Sequence, residues 1–371
     1  MEKNNKNNLS NIIKPFFDLS FFFLIVTIIL FGLLILTTSS IELSYKNYGE
    51  PFHYSFQQIG YLIFSVFACS FFLFLSSENL KKNYKVFLLF FLFLLVLVVI
   101  PDIGKTVNNS TRWLSYGGLN IQPSEFFKLF YVIWLCAYLD YNKKNIHKFE
   151  IFIIPILCFF ISAILLLKQP DFGSTAVIFL MTFVMLFIAR AKIFHLMTLF
   201  FSGAIGASIL IYLSPERLSR FNLIEPCSDY LGDGYHLCWS LMAIGSGGIF
   251  GKGLGASTTK LSYLYGAHTD FIFAILAEEL GIFGVVFTII LFYLFIKKCF
   301  FVGDKALRVG LIFQGYLSYS IGIFISLQAF LSMAVTLGIA PTKGLAMPFF
   351  SYGGSNYLVS ILSITIVLRI Y

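Results

Sequence analysis

The sequence predicts an all-α polytopic membrane protein of about ten transmembrane helices, and three observations predict it. The 371 residues are 58% hydrophobic and 12% charged, with a mean hydropathy of +0.86, against roughly 25% charge in a soluble domain. That balance excludes a soluble enzyme. The apolar residues gather into runs of about the 20 residues that one bilayer crossing needs. Finally, most of the 26 Lys+Arg fall in loops on one side once the runs are threaded in order, which places both termini in the cytoplasm. The formal charge of +8 is the ordinary basic bias of a membrane protein and implies no nucleic acid.

The elements follow in order. A polar, basic tail covers 1–16, and the next run, 17–37, exceeds the core of a cleavable signal, so it is helix one. Further runs lie at about 56–76, 84–101, 122–139, 150–167, 171–189, 193–213, 271–296, 308–335 and 346–368. The whole chain, 1–371, reads as one transmembrane domain. Short basic loops fall inside. Two longer connections fall outside: one at about 102–121, and a large external loop at 214–270 between helices seven and eight. Chemistry, if present, faces outward.

Polar residues concentrate at that outer edge. In the segment from Ser110 to Lys128, Pro123 suits the first helical position. Glu125 and Lys128 share one helix face, either as a functional pair at membrane depth or as an ion pair that locks packing. Asp171, in Lys168-Gln169-Pro170-Asp171-Phe172-Gly173, reads as a helix cap. The Gly-rich stretch from Gly245 to Gly255 fails the phosphate-loop pattern, since Ser246 holds the first Gly position and Gly253 the last. With Lys252 beside it, it could still present N–H groups and charge to an anion such as pyrophosphate; otherwise it is a loop with turn glycines. Asp270 stands where polar loop gives way to an apolar helix. It either acts as a general base with a raised pKa or caps that helix. Of the adjacent Glu278 and Glu279, one is expected to pair inside the bundle. The cluster from Pro341 to Ser355 breaks helix regularity near the outer face. The six Cys show no Cys-x-x-Cys spacing; Cys227 and Cys238 share the outer loop and could bond in an oxidising compartment. No residue set has metal-ligand spacing.

These clusters, in this order, resemble the SEDS family of bacterial cell-wall proteins, with its RodA, FtsW and SpoVE branches. The resemblance covers nearly the whole chain. It rests on Arg112-Trp113, Gln122-Pro-Ser-Glu-Phe-Phe-Lys128, Gln169-Pro-Asp-Phe-Gly173, Ala243-Ile-Gly-Ser-Gly-Gly248 with Gly251-Lys-Gly-Leu-Gly255, His268-Thr-Asp-Phe-Ile-Phe273 with Glu278-Glu-Leu-Gly281, and Ser351-Tyr-Gly-Gly-Ser355. The segments Ala340–Leu345, Arg217–Arg220 and Gly234-Tyr235 look more like the division branch. The resemblance implies a peptidoglycan glycosyltransferase that polymerises lipid II at the outer face of the bacterial cytoplasmic membrane, at the septum. It places the essential acid at Asp270 and a functionally sensitive pair at Glu125 and Lys128. Arg112, Lys128, Arg217, Arg220 and Lys252 are the expected sources of positive charge for the leaving pyrophosphate, with His268, Lys343 and Ser351 as further substrate contacts. No cofactor is evident, although a divalent cation could assist the pyrophosphate. The expected partners are a class B penicillin-binding transpeptidase and other divisome membrane proteins. A lipid II flippase and a non-catalytic scaffold for the transpeptidase are the alternatives. The chain departs from the family pattern at Trp239, Tyr265-Gly266 and Ser332, around Asp270 but not at it.

Overall fold

The computed structural model describes residues 18–72, 77–107, 110–116, 119–212, 227, 234–261, 264, 266–340 and 344–370. The described helices are α1 (Leu19–Tyr48), α2 (His53–Phe72), α3 (Ser77–Lys82), α4 (Tyr84–Val99), α5 (Pro123–Tyr141), α6 (Phe149–Lys168), α7 (Phe172–Ile188), α8 (Ile193–Tyr212), α9 (Tyr235–Gly247), α10 (Ile272–Arg308), α11 (Ile312–Thr336) and α12 (Gly354–Ile370). By length and composition, α1, α6, α10 and α11 can each cross a membrane, and shorter apolar helices include α4, α7 and α12. The chain is a helical, polytopic membrane protein. Each expected apolar run overlaps a described helix, although α1 runs on to Tyr48, α10 runs on to Arg308, and α12 begins at Gly354 rather than at about 346.

Helix boundaries follow local chemistry. Asp18 accepts hydrogen bonds from the backbone N–H groups of Ser20 and Phe21 and so caps α1. That helix ends at Gly49, whose φ of 74° lets its N–H reach the carbonyl of Tyr45. Pro123 opens α5, where its missing N–H costs nothing. Helices α5 and α11 form the centre and are buried over most of their length, packing on each other and on α4, α7, α10 and α12. Outer helices keep large apolar side chains exposed, among them Ile63 and Phe67 on α2 and Phe194 on α8. In a bilayer these meet lipid rather than water.

Three expectations are corrected. The connection at 102–121 is a three-stranded antiparallel sheet of β1 (Gly104–Val107), β2 (Ser110–Tyr116) and β3 (Leu119–Ile121), in that order, so the fold is not purely α. The segment 214–270 is not simply an external loop, because α9 packs along α10 and the turn after it enters the bundle. There Lys260 Nζ donates to the carbonyl of Thr38 at 3.0 Å, ten residues before the end of α1, or about 15 Å along its axis. Lastly, the span expected at 271–296 continues to Arg308 and is broken at Gly281, with φ 63° and ψ −158°.

That break explains the entering turn. The helix interruption frees carbonyls, and the turn's backbone satisfies them: Lys252 N donates to Glu278 O at 3.0 Å and Gly253 N to Glu279 O at 2.9 Å. In return, Ile282 N donates to Gly248 O at 3.1 Å. Irregular backbone at membrane depth needs such partners. A Cβ at Gly251 or Gly281 would strike the facing backbone, and both have positive φ, so glycine is required at each.

Candidate functional site

The chain's outer-edge motifs meet at one end of the bundle, formed by the C-terminal ends of α1, α4, α6 and α11 and the N-terminal ends of α2, α5, α7, α10 and α12. At the opposite end Lys298 pairs with Asp18 and Lys81 with Asp140.

Asp270 lies just before α10 and is half-buried. It does not cap the helix: Phe271 is the capping residue. The backbone that carries it is pinned to the segment before α12. Ser351 Oγ donates to the carbonyl of Thr269 at 2.6 Å and accepts from the N–H of Met347 at 2.7 Å. The N–H of Tyr352 donates to the carbonyl of His268 at 2.9 Å. The carboxylate rests on Gly344, where a Cβ would lie 2.5 Å from Oδ2. No described residue donates a hydrogen bond to this carboxylate. Burial pushes its pKa up to about 6, with the Arg112 guanidinium opposing and the Asp171 carboxylate adding to the rise. At neutral pH it is therefore largely ionised yet close to its titration point, which suits a base.

The other expected residues are placed as follows. Arg112, on β2, donates from Nε to the carbonyl of Gln169 at 3.2 Å and from Nη2 to the carbonyl of Pro170, so it holds the sheet to the α6–α7 turn while standing in electrostatic range of Asp270. Asp171 caps α7 by accepting from Ser174 N at 3.1 Å, as the spacing suggested. Lys128 is 1% exposed and donates to Glu125 Oε1 at 2.8 Å and to Gln328 Oε1 at 2.9 Å. Gln328 continues through Nε2 to Asn356 Oδ1 and the carbonyl of Ala346. The Glu125–Lys128 pair thus belongs to a buried network joining α5, α11 and α12, and in this conformation Lys128 is sealed from a substrate outside. The imidazole of His268 is pushed down to about 4 by burial and is neutral. Ser351, buried at 0% exposed, commits its hydroxyl to two backbone groups. Arg217, Arg220 and Lys343, and Tyr265 among the departures, lie outside the described residues.

Lys252 is not at an anion cradle. Its Nζ donates to Glu278 Oε1 at 2.7 Å, and the Glu278 carboxylate also accepts from Ser257, Thr258 and Thr259. Lys260 pairs with Glu279 Oε1 at 2.8 Å. The expectation that one glutamate pairs inside is corrected: both do, because both are fully buried and an unpaired buried charge would cost several kcal/mol. The Gly-rich turn therefore fastens the half of α10 that follows Asp270. Cys227 and Cys238 form a disulfide.

Sequence reasoning missed Gln328, Asn356, Gly344 and Lys260. A Gln inside an apolar run is itself a signal, and Gln328 could have been singled out. Gly344 carried none, since its role is the absence of a side chain.

A bundle of apolar helices with an acidic residue held at one end defines a polytopic membrane protein with a candidate site at that end. The family model described as "Cell cycle protein", covering FtsW, RodA and SpoVE, matches residues 18–371, and the chain belongs to this family. Among relatives, it is 37% identical over 356 residues to a probable peptidoglycan glycosyltransferase FtsW of Thioalkalivibrio sulfidiphilus, covering 95% of this chain and 89% of that one. It is 38% identical over 351 residues to the protein so named from Coxiella burnetii, covering 93% of each. The fold matches a chain in the structure described as "Structural coordination of polymerization and crosslinking by a peptidoglycan synthase complex", with a TM-score of 0.78, 24% identity and coverage of 95% and 97%. It also matches the rod shape determining protein RodA of Thermus thermophilus, with a TM-score of 0.71, 24% identity and coverage of 95% and 96%.

Proposed function

We propose that this protein is a peptidoglycan glycosyltransferase that polymerises lipid II by an inverting transfer, with Asp270 as the base. The observation that carries the reading is the Asp270 carboxylate: fixed by two backbone clamps, given no hydrogen bond by any described residue, and raised to about 6. It takes the proton from the acceptor sugar hydroxyl as that oxygen attacks the anomeric carbon of the donor. The bond to the pyrophosphate breaks, and the leaving group needs positive charge rather than a proton. Arg112 is the first source. Arg217 and Arg220 are further candidates by sequence, and Lys128 acts only after its buried network opens. A divalent cation accompanying the pyrophosphate would add further positive charge for the leaving group.

In this reading the end bearing Asp270 faces outward, both termini lie in the cytoplasm, and the ten apolar runs all cross. The disulfide at that end supports the orientation, because such bonds persist in oxidising compartments. The names of the relatives support the activity, the family description "Cell cycle protein" supports a role in division, and the septum is the proposed place of that role. A class B penicillin-binding transpeptidase is the proposed partner. The test compares glycan synthesis by wild type and Asp270→Asn; a folded Asn variant that still polymerises lipid II would refute the base.

A further inference from the structure

Next in the chain to Asp270, through His268, lies a continuous group of aromatic rings that the proposed transfer does not use. Tyr48, at the end of α1, stacks on His53 at the start of α2, with ring centres 3.8 Å apart and 14° between planes. Tyr54 sets its edge to both and lies 5.1 Å from the ring of His268 and 5.1 Å from that of Tyr352. Tyr61 lies 6.2 Å from Tyr352. The group therefore runs from the surface, where Tyr48 is 53% exposed, to within two residues of Asp270.

Amides hold the ring hydroxyls in place. Asn47 Nδ2 donates to the Tyr54 hydroxyl at 3.2 Å, Gln57 Nε2 donates to that of Tyr61 at 3.2 Å, and Tyr352 OH donates to Gln57 Oε1 at 2.6 Å. Rings fixed in this way lose little freedom when they bind. Aromatic residues at a membrane edge often only anchor the protein at the interface. Here α2 distinguishes the two uses: Phe56 is 69% exposed toward the surroundings, whereas Tyr54 turns inward onto His268 and Tyr352.

We infer that the rings of Tyr48, His53, Tyr54, Tyr61, Tyr352 and His268 form a carbohydrate platform that holds a pyranose ring of the acceptor glycan next to Asp270. The inference rests on the glycosyltransferase reading and deepens it. A pyranose with equatorial hydroxyls presents a patch of axial C–H groups, weakly positive and apolar, which suits the negative face of an aromatic ring. Its hydroxyls meet phenols and amides that both donate and accept. The phenol rings bring no formal charge and burial keeps His268 neutral, so the platform suits a sugar better than a pyrophosphate. Asp270 is then served by rings from α1, α2 and the segments just before α10 and α12, and by the charge of Arg112 on β2.

The experiment measures binding of chitotetraose, a soluble β-1,4-linked N-acetylglucosamine tetramer, to the purified full chain in detergent, alongside the lengths of glycan made from lipid II. Tyr48 is the residue to vary, because its exposure lets truncation leave the fold intact. Expected results are saturable binding by wild type, the same by Tyr48→Phe, which keeps the ring, and about three- to tenfold weaker binding with shorter glycans for Tyr48→Ala. Two outcomes overturn the platform: wild type that polymerises lipid II but binds no tetramer, or Tyr48→Ala with unchanged binding and glycan length. Wild type that binds the tetramer but makes no glycan, with an active relative as control, removes the polymerase reading and leaves the platform standing.

Discussion

Truncating Lys260 is expected to destabilise the protein far more than truncating Lys252, although both lysines face adjacent glutamates from the same turn. The Lys260 side chain is 7% exposed and donates to Glu279, to the carbonyl of Thr38 on α1 and to that of Gly255. Glu279 is wholly buried, and its second oxygen has no partner among the described residues. Lys260→Ala leaves that carboxylate uncompensated, at a cost of about 3–5 kcal/mol. The Lys252 side chain is 31% exposed, and without it Glu278 keeps the hydroxyls of Ser257, Thr258 and Thr259 and the N–H of Thr258. Lys252→Ala therefore costs about 1 kcal/mol. For a chain of this length these values correspond to midpoint shifts of roughly 5 °C and roughly 1 °C. Thermal unfolding of the purified protein in detergent reads the difference directly. Adding Glu279→Gln to Lys260→Ala should recover more than half the loss, because it removes the stranded charge. Equal shifts for the two lysines, or no recovery in the double variant, would refute the assignment of the turn as an electrostatic fastening.

Further outcomes follow from the geometry around Asp270. Glycan synthesis should rise with pH along a limb near pH 6, where the Asp270 carboxyl ionises; Arg112→Gln should move that limb to higher pH and Asp171→Asn to lower pH, because the two groups act on the carboxyl with opposite sign. The stability linkage runs the other way. A carboxyl raised in the folded state binds a proton more tightly there than in the unfolded chain, so its contribution favours folding at low pH and is lost as pH rises from about 4 to about 6. Asp270→Asn should accordingly melt no lower than wild type at pH 7. Gly344→Ala should keep the fold yet lower glycan synthesis at least about tenfold, since its methyl group displaces the carboxylate by occupying its seat. Gly281→Ala combines a positive φ with a clash against the backbone of Ile249 and Gly251 and should yield little folded protein, as judged by size exclusion.

The helical frame was legible because lipid demands length and hydrophobicity together, and the runs carry both. The Asp171 cap was legible because Asp before an apolar run has a local use for its side chain. What escaped is the chain between α8 and α10. Residues 235–260 mix polar and small residues with apolar stretches too short to span, such as Leu241–Ile244, which reads as an external loop, whereas the partners of their Gly-rich turn are the carbonyls freed at Gly281 and the glutamates just before it. A pattern along one segment cannot show that a distant helix is broken and needs donors. The same limit hid the role of Ser351, whose hydroxyl serves two backbone groups, one of them 82 residues away, and the pairing of Lys252 with Glu278. Asp270 stood out through its position at the helix edge and through the motif resemblance; what freed it from the capping alternative was the observed cap at Phe271.

The central claim is tested most directly by polymerisation of purified lipid II with this protein and its transpeptidase, wild type beside Asp270→Asn, with an active relative run under the same conditions. The account predicts long glycan strands from the wild type and none from an Asn variant that melts normally and still binds the transpeptidase. Strands of equal length from both would contradict the role given to Asp270. No strands from either, with the control active, would contradict the polymerase itself and favour lipid translocation or scaffolding.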